Sequence, residues 1–257
     1  MSGNKCETCP KMSGIKIVNG LPASPSEKAE FNYFCSIASK NSSIPFCGAV
    51  YLKDNFVLTA AHCVNSIKNS PKIIKIQFNK KKLTDNGLVF GVTKINIHPK
   101  YNAKKNEFDF AILTLDNNPS NFGIKNNLIL GKEEFYKKGI PYTILGYGAT
   151  SYQGEASAVL QIATIGFITI NETNYTKNEI TSSMFLAGGL NSEGKIIDTC
   201  QGDSGGPLFC KIDNQTFVLG LTSWGNGCSL PNYPGVYAKV SVAAPWINSI
   251  IISKTKN

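Results

Sequence analysis

Phe217-Val218-Leu219-Gly220-Leu221 is a short apolar run with branched side chains. Runs of this length, broken by Gly, Pro and Asn, read as β-strands. The same pattern returns at Val57-Leu58-Thr59, Ile73-Ile74-Lys75-Ile76, Phe110-Ala111-Ile112-Leu113 and Tyr142-Thr143-Ile144-Leu145. So many short runs point to an all-β barrel or sandwich rather than to βαβ units. The clearest helix is C-terminal. Ser241 can cap it, Pro245 falls in its first turn, and Val242, Trp246, Ile250 and Ile251 share one face. Asn117-Asn118-Pro119-Ser120-Asn121 reads as a linker near the midpoint.

The chain has 257 residues, 42% of them apolar, enough for one large two-part domain or two small ones. No apolar stretch is long enough for a membrane span. The polar start, Met1-Ser2-Gly3-Asn4-Lys5-Cys6, has no apolar signal core, so it reads either as following a signal peptide that has been removed or as a sequence given from after one. Net charge is +9, and all 26 basic residues are Lys. Lys80-Lys81-Lys82, with Lys72 and Lys75, reads as a solvated loop that could attract anionic surfaces. With no Arg to read base edges and no aromatic platform, nucleic acid is not an expected partner. Eight widely spaced cysteines fit disulfides in an oxidising compartment better than a metal site. Sequons at Asn41, Asn171, Asn174 and Asn214 agree weakly with secretion.

The chemistry concentrates in Asp198-Thr199-Cys200-Gln201-Gly202-Asp203-Ser204-Gly205-Gly206-Pro207. A serine between glycines suits an exposed nucleophile. Glycine permits strained turns and lets backbone N–H groups approach a substrate carbonyl. The hydroxyl needs a base within reach, and the base needs an orienting acceptor. His62, ending the run Leu58-Thr59-Ala60-Ala61 beside Cys63, is the candidate base. His98, before Pro99, reads as a surface or hydrogen-bonding histidine. Asp109 is a carboxylate entering an apolar strand, costly unless paired, so a histidine partner is the natural account.

These segments resemble the chymotrypsin–trypsin family of serine proteases. The resemblance runs from Ile17 to about Ile250. It rests on Ile17-Val18-Asn19-Gly20, Thr59-Ala60-Ala61-His62-Cys63, Asp109, Gly202-Asp203-Ser204-Gly205-Gly206-Pro207, Ser223-Trp224-Gly225 and Pro234-Gly235-Val236-Tyr237, in that order. It implies an all-β fold of two antiparallel six-stranded β-barrels packed together, with the C-terminal α-helix. Residues 1–16 would be a propeptide or leader and 17–257 the peptidase domain. The first barrel would span about 17–125, the second about 126–240 and the helix about 241–253.

By the same resemblance Ser204 is the nucleophile, His62 the general base, and Asp109 the group that orients it. The N–H groups of Gly202 and Ser204 form the oxyanion hole. Ser223, Trp224, Gly225, Thr199 and Gln201 contact substrate. Asp198, six residues before Ser204, is implied at the floor of a pocket for Lys or Arg, with Gly225 and Gly235 as small walls. Cleavage after Lys16 would free the Ile17 amine to pair with Asp203. Disulfides Cys47–Cys63 and Cys200–Cys228 are implied.

Where the pattern breaks, Leu186 stands at a common cysteine position and Tyr142 lies in the region of Cys210's usual partner. Cys6, Cys9, Cys35 and Cys210 keep three pairings open, and Cys35 also reads as a free buried thiol. No cofactor or metal is expected. The Asn79-Lys80-Lys81-Lys82 loop lacks the paired glutamates of calcium-binding trypsins. The expected protein is a secreted monomer acting on peptides or proteins with Lys or Arg at the cut, and open to protein inhibitors. The competing readings are a non-catalytic homologue that only binds, and a protease with a narrow regulatory target.

Overall fold

The computed structural model describes residues 17–125, 127–149 and 154–254. Six antiparallel strands close the first barrel. In spatial order they are Phe34–Ser39, Pro45–Lys53, Phe56–Thr59, Ala111–Leu115, Leu88–Ile97 and Ile74–Phe78, the last pairing back with the first. The second barrel runs Gln161–Ile168, Tyr142–Gly146, Pro207–Ile212, Gln215–Trp224, Gly235–Lys239 and Met184–Leu190, closed by the pairing of Met184–Leu190 with Gln161–Ile168. Closure leaves neither barrel with a free edge to template aggregation. The fold class expected from the sequence is the one observed.

Local chemistry accounts for the connections. Asp213 and Asn214 both take positive φ, 49° and 62°, between Pro207–Ile212 and Gln215–Trp224. That is the backbone a two-residue hairpin needs, and Asx side chains tolerate it. Asn118 is more than a linker residue. Its Oδ1 accepts from the Ser120 N–H at 3.0 Å and from the Tyr51 hydroxyl at 2.9 Å, tying the inter-barrel connection to the first barrel. Further on, Leu128–Leu130 pairs in parallel with Thr216–Val218 of the second barrel.

Each barrel fills its interior with its own apolar set. Val50, Leu58, Ile76, Phe78, Ile112 and Leu113 are buried in the first, and Tyr142, Ile144, Phe185, Leu208, Leu219 and Tyr237 in the second. Each such side chain contributes about 1.5–3 kcal/mol by leaving water. Aromatic rings join the halves. Phe209 of the second barrel stacks on Phe31 at 5.6 Å and meets the edge of Tyr33 at 5.2 Å.

Four sequence expectations are corrected. The helix is Val240–Lys254, so Ser241 lies inside it rather than capping it. The Ser241 N–H is instead satisfied by the Tyr136 hydroxyl at 3.1 Å, a tertiary partner that local sequence cannot reveal. The fully buried face is Val240, Ala243 and Ile247, with Ile251 beside them. Of the expected stripe, Val242, Trp246 and Ile250 are only partly covered. Lys80, read as part of a solvated run, is 5% exposed, while Lys81 and Lys82 face water. Its ammonium donates to the Ser43 carbonyl at 2.6 Å and to Gln77 Oε1 at 3.0 Å. Burial pushes its pKa down to about 8. The charge of Asp85 partly offsets that, and Lys75 adds to it. The Ser43 carbonyl, 37 positions away, and Gln77, three away, together make this burial possible. His98 is likewise buried rather than at the surface, although it is hydrogen-bonded, accepting at Nδ1 from the Lys100 N–H at 3.2 Å.

Candidate active site

The strand Phe56–Thr59 runs into the fully buried Ala60 and Ala61, and a one-turn helix, Ala61–Val64, then turns His62 toward the seam between the barrels. Asp109 immediately precedes Phe110 and the strand Ala111–Leu115, which pairs with Phe56–Thr59. The pairing of these two strands brings the two side chains together. Asp109 is fully buried. It accepts from the His62 backbone N–H at 2.9 Å and lies 2.7 Å from His62 Nδ1. Ser223, from the second barrel, donates to Asp109 Oδ2 at 2.5 Å. The acid thus has three donors, which removes most of the penalty of burying it. With Nδ1 facing a carboxylate, the Nδ1–H tautomer is favoured, leaving Nε2 as the basic lone pair.

Ser204 is half-buried in a loop of sharp turns. Gly202 has φ +95° and Gly205 φ +73°, conformations in which a side chain is strained. A Cβ on Gly205 would also sit 2.3 Å from Thr59 Oγ1 and 2.7 Å from the Gly48 carbonyl. The loop is pinned on both sides: the Gly48 N–H donates to the Ser204 carbonyl at 2.7 Å and the Gly205 N–H to the Thr222 carbonyl at 2.8 Å. Thr59, three residues before His62, donates to Gly48 O at 2.8 Å, so Gly48 links the serine loop to the His62 segment. Among the described residues, the N–H groups of Gly202 and Ser204 donate to no protein acceptor. Among the described residues, no hydrogen bond joins Ser204 to His62.

A cavity of about 140 Å³ is lined by Ser204, Asp198, Thr199, Gln201, Trp224, Gly225 and Gly235 among others. Asp198 is 4% exposed, with Oδ2 accepting from the Ser229 N–H at 2.8 Å. Burial pushes its carboxyl up to about 7. The N–H groups of Ser229 and Thr199 oppose the shift, and nearby Asp203 adds to it. A Cβ on Gly235 would come within 3.0 Å of Asp198 Oδ1, so a larger wall would crowd the acid. The Trp224 indole N–H is buried without an acceptor, and its ring meets the edge of Tyr175 at 5.4 Å. A larger cavity, about 740 Å³, lies elsewhere, beside Leu21 and Leu190. Two of its acids, Glu30 and Glu193, are already paired with Lys211 and Lys195.

Asp203 is buried under the serine loop. It accepts from the Gly148 N–H at 2.8 Å and the Cys200 N–H at 3.0 Å, and burial raises it to about 6 against these bonds. Among the described residues it has no ion pair. Ile17 is fully buried in the second barrel's apolar cluster, and Val18 bridges to Asp198. Lys16, the expected cleavage position, and Cys6 and Cys9 lie outside the described residues.

The sulfurs of Cys47 and Cys63 are bonded, as are those of Cys200 and Cys228, while Cys35 and Cys210 are free and buried. Tyr142 sits directly across the ladder from Cys210. Leu186, at the position where the resemblance makes a cysteine common, packs with Tyr175, Met184 and Val236. Cys47, His62 and Cys63 are close enough to suggest a metal site, but both sulfurs are already bonded to each other. The sequence reading missed Ser229 and Tyr237, which line the acid's surroundings. Ser229 acts through a backbone N–H, which leaves no motif, and Tyr237, though quoted in Pro234-Gly235-Val236-Tyr237, gives no local sign that its hydroxyl comes within 3.4 Å of Thr199 Oγ1.

A trypsin family model matches residues 17–247. A trypsin of Phaedon cochleariae is 37% identical over 209 residues, covering 79% of this chain and 78% of its own. A trypsin of Saccharopolyspora erythraea is 35% identical, covering 76% and 82%. Trypsin 5G1 of Aedes aegypti is 31% identical over 244 residues, covering 93% and 86%. The chain belongs to the trypsin family. It is a serine endopeptidase, and protein is the substrate class that trypsin-family membership implies.

Proposed function

We propose a secreted, trypsin-like endopeptidase that cuts after lysine or arginine, with Ser204 as nucleophile, His62 as general base and Asp109 as its orienting acid. The observation that carries this is a single cavity lined by both Ser204 and the buried Asp198, beside the bonded His62–Asp109 pair. In this reading Ser204 Oγ attacks the scissile carbonyl while His62 Nε2 takes its proton. The tetrahedral oxyanion forms against the free N–H groups of Gly202 and Ser204. His62 then returns the proton to the leaving amine, and water repeats the sequence on the acyl-enzyme. Asp109 keeps the imidazole in the Nδ1–H tautomer and stabilises the imidazolium. Asp198 favours a cationic side chain because an apolar one would leave a buried carboxylate unpaired.

The chain is proposed to be a zymogen, cut after Lys16. Asp203 is a buried acid held only by backbone N–H groups, which a new Ile17 amine would neutralise. Lys16 also fits the proposed specificity, so self-activation follows. Incubating Ser204→Ala protein with and without active enzyme tests it, and no cut after Lys16 in either mixture overturns it. Two disulfides, and exposed Asn41, Asn171, Asn174 and Asn214, support secretion and glycosylation. A peptide-library cleavage profile of the activated enzyme, with Ser204→Ala as control, tests the specificity. Cuts confined to Lys and Arg support it, and cuts after apolar residues overturn it.

A further inference from the structure

Phe108 has φ +48°, a left-handed backbone that bulky side chains adopt only when their surroundings force it. It directly precedes Asp109. Three separate parts of the fold hold it there. Its N–H donates at 3.1 Å to Ser183 Oγ, from the second barrel just before Met184–Leu190. Ser183 Oγ in turn bonds Thr181 Oγ1 at 3.0 Å. Its ring stacks on buried His98 at 5.0 Å and 9°, and Lys100 Nζ lies 5.3 Å from the same ring centre. Trp246 of the C-terminal helix braces the other member of the stack, meeting His98 at 4.8 Å and 69°. The backbone then bends tightly at Asp109, with the Phe110 N–H donating to the Phe108 carbonyl at 2.8 Å.

We propose that Phe108 is a positioning residue: locked left-handed by Ser183, His98 and Lys100, it sets the direction in which Asp109 leaves the backbone and so aims that carboxylate at His62. The inference rests on the proposed role of Asp109. Asp109 sits at the junction of a left-handed residue and a strand, and a rotation about the Phe108 backbone swings its carboxylate directly. Because His98 accepts at Nδ1 from Lys100, its remaining proton is on Nε2. Burial and the Lys100 charge lower its pKa to about 4, so the stack keeps a neutral imidazole across the working range. Trp246 makes the C-terminal helix, remote in sequence, part of the same brace.

The test compares Phe108→Ala, Phe108→Asn, His98→Ala and His98→Phe in activated enzyme, with each rate divided by titrated active sites. Phe108→Ala loses the stack and keeps a strained φ. The expected result is a kcat loss of about 10–100-fold with KM within about twofold, the size that a displacement near 1 Å produces. The acid limb of the kcat/KM–pH profile moves as well, because Asp109 no longer faces the imidazole. Phe108→Asn, which tolerates left-handed φ, recovers part of the loss. His98→Ala loses about tenfold, and His98→Phe, which keeps a ring for stacking, recovers it. If Phe108→Ala folds, titrates fully and shows wild-type kcat with an unmoved acid limb, the proposal is overturned. If Phe108→Ala does not fold, the His98→Ala and His98→Phe pair decides alone, and equal kcat in both overturns it. Asp109→Asn runs alongside. A silent Asp109→Asn points to failure of the proposed triad, whereas an inactive Asp109→Asn beside a normal Phe108→Ala points to failure of this inference only.

Discussion

Asp109 and the pair Asp198 and Asp203 are all buried carboxylates, yet the protein treats them differently. Asp109 has three donors, two from His62 and one from Ser223. Asp198 and Asp203 are held by backbone N–H groups, and burial lifts them to about 7 and about 6. The first barrel's acid is complete as built. The second barrel's acids have no ion pair among the described residues, and in the proposed function each would receive a cation: a substrate side chain for Asp198 and an N-terminal amine for Asp203. In that proposal one region supplies the chemistry and the other the recognition.

Substitution at each acid should therefore fail in a different way. Asp109→Asn keeps shape but favours the wrong imidazole tautomer. We expect kcat to fall about 10⁴-fold with little change in KM, read from steady-state hydrolysis of a lysyl amide. Asp198→Asn should leave the chemistry intact and strike recognition, lowering kcat/KM for Lys and Arg substrates about 10³-fold while apolar substrates lose little. A tenfold or greater kcat loss on apolar substrates in that variant would erase the distinction between the two regions.

The third test uses pH. Folding raises the pKa of Asp198 and Asp203 above the unfolded value of 3.8. As pH climbs from about 4 to about 7, the unfolded chain releases these protons first, and stability falls. An amidinium that binds at Asp198 cancels that loss. At 100 times its Kd the activated enzyme should melt several degrees higher at pH 8, with a smaller rise at pH 5. An equal rise at both would mean the ligand does not meet the carboxylate.

The smallest expected effect concerns Lys80. Its folded pKa, about 8, lies below the ordinary lysine value of 10.5. Between those values the folded protein holds fewer protons than the unfolded chain, so stability from this group rises with pH. In Lys80→Met that rise should vanish from melting curves taken between pH 8 and pH 10.5. Millimolar calcium should leave the melting temperature of the parent protein unchanged.

Much of the fold and site could be read in the sequence where a feature is local. Apolar runs such as Phe217 to Leu221 became strands, and the segments around His62, Asp109 and Ser204 do meet at the seam. Features that depend on distant partners could not be read. Lys80 is buried because Ser43 and Gln77 accept from it. The helix starts before Ser241 because Tyr136 serves its N–H. The left-handed turn at Phe108 depends on Ser183 and on the His98 stack, and a bulky aromatic there gives no local sign of it. The C-terminal stripe shifted because apolar residues lie on adjacent faces, so periodicity alone could not choose between them.

Both described disulfides close loops within a single barrel, Cys47–Cys63 in the first and Cys200–Cys228 in the second. No described covalent crosslink spans the seam. His62 and Asp109 belong to one half, Ser204 and Ser223 to the other, and hydrogen bonds such as Gly48 to Ser204 bring them into register. In the proposed mechanism the molecule is in effect a coincidence detector. Each shell carries an incomplete set of instructions, and turnover reports that the two have met in the right alignment. A chain severed in the connection near Asn117–Asn121 should accordingly behave as a two-part sensor, silent in pieces and active on reassembly.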